Sequence, residues 1–185
     1  MKDIILASQS PRRRQLLEEM GLRFSVEPSQ IEEHLDETLP LGKAIEQLAK
    51  AKALPIARKH PQSIIIGADT LVAIDGRVLG KPQDEADAAR MLRLLSGRAH
   101  QVVGGVAILC GNEEVLFHSV SEVRFFTISE EEIAAYIQSG EPMDKAGAYG
   151  IQGLGRQFVE GINGDYFNIV GLPIARVVRA LRQFQ

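Results

Sequence analysis

The chain has 185 residues, of which 45% are hydrophobic and 24% are charged, as is usual for a globular protein with a proper core. Its net charge of −3 provides no global attraction for nucleic acid, so an anion would have to bind at a local cluster of cations. Cys110, the one cysteine, excludes a disulfide framework, and no apolar run suits a signal peptide or a membrane span. We therefore expect a cytoplasmic protein with one domain over residues 1–185.

The first predicted strand and helix are joined by a polar loop. The strand covers Asp3 to Ala7, and the helix covers Arg12 to Met20, with Ser10 at its N-cap and Pro11 in its first turn. Arg12, Arg13 and Arg14 crowd the positive end of this helix, where each cation costs a few tenths of a kcal/mol, up to about 1. A bound phosphate would reverse that cost, so we expect one or two of them to bind an anion. The alternative is a solvated basic face.

Acidic and basic residues follow in the next two elements. A short strand over residues 23–27 precedes a loop that holds Glu32 and Glu33, which either face solvent or bind Mg²⁺ beside a phosphate. The spacing of apolar residues predicts a helix over residues 41–59, with Lys52 near its apolar side, either covering the core or pointing into a site. Pro55 is expected to kink this helix or to start a new turn.

The central stretch of the chain carries the strongest chemical signal. Ile64 to Ile66 predict a strand buried on both faces, which we expect to end near Gly67. Asp69 would then lie at the carboxyl end of the strand, where open α/β sheets bind ligands, although a single Asp there more often caps a turn. Asp75-Gly76 predicts a type I′ hairpin turn, and the hairpin returns Lys81 toward the same region. A carboxylate and a lysine placed in this way can meet one polyphosphate.

The second half of the chain predicts alternating helices and strands around one irregular loop. We expect a helix from Asp84 to Gly97, strands over 100–110, 115–126 and 157–162, and helices over 130–138 and 174–184. Residues 140–155 contain five glycines and favour a binding loop about as much as a structural one.

Seven short motifs follow one another along the chain. They are Ala7-Ser8-Gln9-Ser10-Pro11-Arg12-Arg13, Pro28-Ser29-x-x-x-Glu33, Gly67-Ala68-Asp69-Thr70, Gly80-Lys81-Pro82, Leu95-Ser96-Gly97-Arg98-x-His100, Gly140-Glu141-Pro142-x-Asp144-Lys145-Ala146-Gly147 and Gly171-Leu172-Pro173. Each motif alone is weak, but the ordered set is specific and covers essentially the whole chain. Together they resemble the motifs of the Maf family of nucleoside triphosphate pyrophosphatases.

The resemblance implies a fold and a reaction. The fold would be mixed α/β, with a long twisted mixed sheet, flanking helices and two lobes around a cleft, like the inosine triphosphate pyrophosphatases. The enzyme would be a hydrolase that cleaves a nucleoside triphosphate between its α- and β-phosphates, giving the monophosphate and pyrophosphate, with Mg²⁺ or Mn²⁺. The resemblance allows a homodimer, and we expect neither nucleic acid nor a membrane as partner.

The resemblance also implies which residues form the site. Its catalytic positions fall on Asp69, Lys52, Lys81 and Glu33, of which Asp69 and Glu33 would also hold the metal. Its substrate-binding positions fall on Ser8, Arg12, Arg13, Thr70 and Gln152. Asp69 would activate water, Lys52, Lys81 and Arg13 would neutralise the phosphates, and the Gln152 amide could pair with the edge of uracil or thymine.

Three positions in the resemblance are tied to the choice of substrate. Arg12, Thr70 and Gln152 are similar to the subgroup that acts on dTTP and UTP. The alternatives are the sister subgroup, which acts on 7-methyl-GTP, and a nucleotide-binding regulator of septum formation with little catalysis. Two departures from the family pattern are Gly104-Gly105, where Thr-Gly is more usual, and Pro55, which is close enough to Lys52 to shift it.

Overall fold

The computed structural model describes residues 2–184 and divides into two compact units. Within the described residues, the first unit comprises 2–70, Gly104–Ser119 and 171–184, and the second comprises Leu71–Val103 and Val120–Val170. The single domain predicted over residues 1–185 stays a prediction, as does the cleft between two lobes. None of the helices in residues 2–184 has the length and apolar character needed to cross a membrane.

A mixed sheet of seven strands runs through the described residues, in the order β2-β1-β3-β5-β6-β7, with β4 paired to β3. β1 is parallel to β2 and β3, whereas β3 with β4 and β6 with β7 are antiparallel. The predicted mixed α/β fold is therefore confirmed. The strands are β1 Ile4–Leu6, β2 Ser25–Val26, β3 Ile64–Ile74, β4 Arg77–Leu79, β5 Ala99–Cys110, β6 Glu113–Phe125 and β7 Val159–Asn163.

Six α-helices and four short 3-10 segments accompany the sheet in residues 2–184. The helices are α1 Pro11–Glu19, α2 Leu41–Lys59, α3 Glu85–Leu95, α4 Glu130–Gln138, α5 Tyr166–Val170 and α6 Ile174–Leu181. The 3-10 segments are Glu141–Asp144, Ala146–Ala148, Leu154–Phe158 and Arg182–Phe184. The irregular stretch that the sequence predicted over residues 140–155 thus contains short 3-10 segments and no long helix or strand.

Local side-chain caps set the starts of three helices, as the sequence predicted. The Ser10 hydroxyl accepts a hydrogen bond from the Arg13 amide at the start of α1, and Pro11 occupies the first turn. The Asp84 carboxylate accepts from the Asp87 amide at 2.7 Å at the start of α3. Ser129 begins α4 with the predicted capping box.

The predicted end of β3 near Gly67 is wrong, because the strand continues through Asp69 to Ile74. Its second half pairs with β4, and the hairpin turn has positive φ at Asp75 (51°) and Gly76 (71°), as the predicted type I′ turn requires. This pairing supplies hydrogen-bond partners for the later residues of β3, so the strand continues beyond the apolar run.

Asp69 lies past the carboxyl end of β1 instead of at the end of β3. β1 pairs with β3 only as far as Leu6 opposite Ile66, and the Ala7 amide donates to the Ile66 carbonyl. β3 therefore extends past the carboxyl end of its parallel neighbour. Asp69 lies in this extension, within the same unit as the loop that follows β1.

Helix α2 packs directly on the sheet through two glycines. A Cβ at Gly67 would lie 2.3 Å from the Ala49 carbonyl oxygen, and one at Gly105 would lie 2.4 Å from the Ile45 carbonyl oxygen. Pro55 lies inside α2, which is one helix from Leu41 to Lys59, so it does not start a separate helix. A proline removes one helical hydrogen bond, and the kink expected there stays a prediction. Ala53 and Ile56 of the same helix are buried in the core.

Candidate functional site

A lysine lies between two carboxylates in the first unit. Lys52 Nζ is 2.6 Å from Asp69 Oδ1 and 2.8 Å from Glu33 Oε1. The Lys52 and Asp69 side chains are 12% and 11% exposed, whereas that of Glu33 is 60% exposed. The Lys52–Asp69 pair is thus largely shielded from water, with Glu33 on its solvent side, and a reacting group could approach from there.

The local geometry of β3 and α2 explains why Lys52 and Asp69 meet. Residues two apart in a strand point to the same face, so Asp69 shares the face of Gly67, which α2 covers. Residues three apart share a helix face, so Lys52 projects beside Ala49, whose carbonyl oxygen lies against Gly67. Glycine at position 67 brings helix and strand close enough for the ion pair.

Arg13 is buried and connects three parts of the first unit. Its Nε donates to the Gly171 carbonyl at 2.9 Å, Nη1 to Ser8 Oγ at 3.0 Å, and Nη2 to Thr70 Oγ1 at 3.0 Å. Burial lowers the pKa of Arg13 below its ordinary value, and the Asp69 charge works in the opposite direction. The guanidinium stays protonated, because an arginine does not lose its proton in a protein.

The three arginines that begin α1 therefore have different environments. Arg13 is turned into the protein, Arg12 is half-buried, and Arg14 is exposed and pairs with Glu18 at 2.7 Å along the helix. Arg14 lies on the solvated basic face that was the alternative reading of this motif. The predicted direct contact of Arg13 with phosphate stays a prediction, since three of its N–H groups already bind protein oxygens.

The hydroxyls of Thr70 and Ser8 are oriented by these contacts. Thr70 Oγ1 accepts from Arg13 and donates to the Gly171 carbonyl at 3.3 Å, so its single proton is already used. Ser8 Oγ accepts from Arg13 and from the Ser10 amide at 3.2 Å. The Ser8 hydroxyl thus keeps its proton to donate to a ligand, whereas Thr70 offers its methyl group and a lone pair.

Sequence reasoning gave no role to Gly171, although its carbonyl receives both Arg13 and Thr70. Its φ is 146°, a conformation that favours glycine. The signal in the sequence was the Gly171-Leu172-Pro173 motif, whose glycine precedes a short helix. The motif could have suggested a special backbone position, but not its partner.

Lys81 and Gln152 lie in the second unit, and both side chains are exposed. Lys81 follows β4, next to Gly80, whose carbonyl accepts from the Gly147 amide at 3.0 Å. Gln152 lies in the glycine-rich segment between Gly150 and Gly155. Their predicted parts in phosphate and base binding stay predictions.

The metal prediction depends on Asp69 and Glu33. Within residues 2–184, no group of three or more His, Cys, Asp or Glu side chains is placed to hold a metal ion. Mg²⁺ commonly takes one or two carboxylates, with phosphate oxygens and water as its other ligands. The two carboxylates that contact Lys52, the shielded Asp69 and the exposed Glu33, fit that pattern if substrate completes the coordination.

Sequence comparison identifies close relatives over the whole chain. The family model described as "Maf-like protein" matches residues 3–184. The chain is 50% identical over 184 residues to the dTTP/UTP pyrophosphatase of Bacillus pumilus, covering 100% of this chain and 97% of that protein. It is 52% identical over 183 residues to the dTTP/UTP pyrophosphatase of a Geobacillus species, covering 99% and 98%.

Two solved structures match this chain at low sequence identity. The Ham1 protein of Staphylococcus aureus has 17% identity and a TM-score of 0.47, covering 67% of this chain and 72% of that one. A nucleoside-triphosphatase, dITP/XTP pyrophosphatase, of Mycobacterium abscessus has 19% identity and a TM-score of 0.49, covering 98% and 95%.

Proposed function

Since this chain belongs to the Maf family, we propose that it is a hydrolase that converts dTTP and UTP to the nucleoside monophosphate and pyrophosphate. The observation that carries the proposal is the ion pair of Lys52 with Asp69 at 2.6 Å, with Glu33 at its open side. Relatives with 50% and 52% identity over their full length support the choice of substrates.

Asp69 is the proposed general base. The α-phosphorus is surrounded by negative oxygens, so water must lose a proton as it attacks and cations must reduce the repulsion. Lys52 keeps the Asp69 carboxylate oriented through a 2.6 Å contact. An ammonium group has three donors, and two point at Asp69 and Glu33, which leaves a third for a phosphate oxygen.

Arg13 is proposed to act mainly through its neighbours. Its hydrogen bonds fix the Ser8 and Thr70 hydroxyls, and its positive charge lies near enough to Asp69 to interact with it. Ser8, in the loop just before α1, would donate its hydroxyl proton to a phosphate oxygen. Arg12, half-buried in the first turn, is the arginine better placed to reach the substrate.

A divalent cation, Mg²⁺ or Mn²⁺, would be held by Asp69 and Glu33. When bound, it would supply positive charge to the phosphates and lower the pKa of a coordinated water. Glu33 suits this role because its side chain is the more exposed of the two carboxylates.

Base selection is assigned to Gln152, with Arg12 and Thr70 as the other selective positions and Lys81 on the phosphates. The Gln152 amide offers one donor and one acceptor, which matches the edge of uracil and thymine. Sites of this kind reject mismatched bases strongly, because buried polar groups would be left unpaired. A homodimer and a cytoplasmic location stay predictions.

A panel of triphosphates tests the proposal. We expect UTP and dTTP to give pyrophosphate and no orthophosphate with Mg²⁺ or Mn²⁺, and the rate to fall to background with EDTA. The kcat/KM for UTP should exceed that for GTP and 7-methyl-GTP by about 100-fold or more, because a wrong base leaves hydrogen-bonding groups of the site unpaired. Pyrophosphate and orthophosphate are measured separately. A preference for 7-methyl-GTP, or binding of UTP without turnover, would contradict the proposal.

A further inference from the structure

Glu141 binds the backbone of the segment that carries Gln152, which we call the 150–155 loop. Its Oε2 accepts from the Leu154 amide at 2.7 Å, and its Oε1 accepts from the Gly155 amide at 3.1 Å. The Tyr136 hydroxyl donates to the same Oε1 at 2.8 Å, and it also accepts from the Gly150 amide at 3.2 Å. One carboxylate and one phenol therefore hold both ends of this loop.

The contact between Glu141 and the loop is too close for a side chain at Gly153. A Cβ there would lie 2.3 Å from Glu141 Oε1. The φ of Gly153 is −92°, so this glycine is not in the left-handed region that favours glycine. The glycine is needed because the carboxylate occupies the space.

Arg156 holds the carbonyl groups of the same loop. Its Nη2 donates to the Gln152 carbonyl, and its Nε donates to the Gly153 carbonyl at 2.8 Å. A carboxylate on the amides and a guanidinium on the carbonyls leave the Gln152 backbone little freedom. Its side chain remains exposed and available to a ligand.

The charge on Glu141 is stabilised where it lies. Burial acts to raise the pKa of this carboxyl, but the Leu154 and Gly155 amides outweigh it and hold the pKa below its ordinary value. Hydrogen bonds to an ionised group are stronger than those between neutral groups. Glu141 therefore stays a carboxylate at neutral pH and can accept from both amides together.

The start of the segment is fixed by a buried contact. His100 Nε2 and the Tyr149 hydroxyl are 2.7 Å apart, and both rings pack edge-on against Phe125. Burial lowers the pKa of His100 to about 4, so its ring is neutral at neutral pH. Gln152 thus follows a buried anchor at Tyr149 and precedes the amides that Glu141 holds.

We propose that Glu141 is a positioning residue for base selection, which acts through the backbone of the 150–155 loop to place the Gln152 amide. The inference rests on the proposed role of Gln152. The inference extends that role, because base selectivity then also depends on Glu141, which acts through the backbone of the loop. A misplacement of about 1 Å at a recognition group can cost up to about 100-fold in rate, so the effect is measurable.

A pair of glycine variants tests the inference. Gly153→Ala should displace the Glu141 carboxylate, raise KM for UTP and lower the UTP-to-GTP ratio of kcat/KM by about tenfold. Hydrogen exchange at the Leu154 amide should become faster. Gly161→Ala is the matched control, because a Cβ there meets nothing within 4 Å, and its selectivity and exchange should match the wild type.

Charge removal provides the second test. Glu141→Gln keeps the shape but turns an NH₂ group toward an amide donor, so the selectivity ratio should fall as it does in Gly153→Ala. In a Gln152→Ala background the same change should have no further effect on selectivity, because coupled residues are not additive. Thermal melts confirm that each variant is folded.

The outcomes separate the two proposals. If Gln152→Ala lowers selectivity but Glu141→Gln and Gly153→Ala, both folded, leave it unchanged, the positioning role is overturned and the proposed function stands. If Gln152→Ala itself leaves selectivity unchanged, the assigned role of Gln152 fails and the inference fails with it. If Glu141→Gln does not fold, the Gly153→Ala and Gly161→Ala pair decides alone.

Discussion

Asp69→Asn is expected to lower kcat for UTP about 100- to 10,000-fold, the range in which a general base contributes. The amide keeps the size of the carboxylate and can still accept from Lys52, which lies 2.6 Å from the native oxygen. It cannot accept the proton of an attacking water. The fold should persist, because no core packing changes, and this loss should appear in kcat more than in KM.

Asp75→Asn is the matched control for this variant. It makes the same chemical change in the same hairpin, where the exposed Asp75 pairs with Arg98 at 2.7 Å and its turn conformation suits asparagine. Its kcat should match that of the wild type. A folded, metal-replete Asp69→Asn enzyme that turned over UTP at the wild-type rate would remove Asp69 from the mechanism.

Arg13→Met is expected to lower the free energy of unfolding by about 3 kcal/mol or more, since each lost hydrogen bond to a charged group costs about 1.5–3 kcal/mol. The change leaves the Gly171 carbonyl and the hydroxyls of Ser8 and Thr70 without the donor that now serves them. Methionine carries no charge, so the desolvation cost of the buried guanidinium disappears and part of the lost free energy of unfolding is regained. The melting temperature should fall by about 2–4 °C for each kcal/mol in a chain of this size.

Arg14→Met is the neighbouring control. Arg14 is exposed and pairs with Glu18 along the helix, and such a pair contributes about 0.3–0.5 kcal/mol. Both melts are recorded by circular dichroism with the same protein concentration and buffer. A melting temperature for Arg13→Met equal to that for Arg14→Met would show that Arg13 does not hold the three segments together.

Local signals in the sequence were sufficient for most elements. Ser10, Asp84 and Ser129 cap the helices they were predicted to cap, because a cap depends only on residues within one turn. The Asp75-Gly76 turn was predicted for the same reason, since its positive φ values restrict the residues that fit. These features need no knowledge of distant contacts.

The errors and omissions involve distant partners. The end of β3 was misplaced because pairing with β4, rather than the apolar run, determines where the strand stops. The pairing of Lys52 with Asp69 depends on the approach of α2 at Gly67, which periodicity alone does not reveal. The orientation of Arg13 was missed for a similar reason, because its acceptor at Gly171 is 158 residues away.

Glu141 illustrates a further limit of sequence reasoning. The Gly140-Glu141-Pro142 motif was recognised, but nothing local indicates that its carboxylate accepts from amides 13 and 14 residues later. Gly153 is a residue whose identity reflects this contact, because the Glu141 carboxylate fills the space that a side chain would occupy. A motif to which sequence reasoning assigns no role can therefore contain a residue that positions another.

In the proposed reaction, water attacks the α-phosphorus with Asp69 as its base. Single-turnover hydrolysis of UTP in ¹⁸O-labelled water, followed by mass spectrometry of both products, shows which phosphorus water attacks. UMP should carry one labelled oxygen and pyrophosphate none, and Asp69→Asn should slow that incorporation. Label in pyrophosphate, or in released orthophosphate, would place the attack on another phosphorus and contradict the proposed reaction.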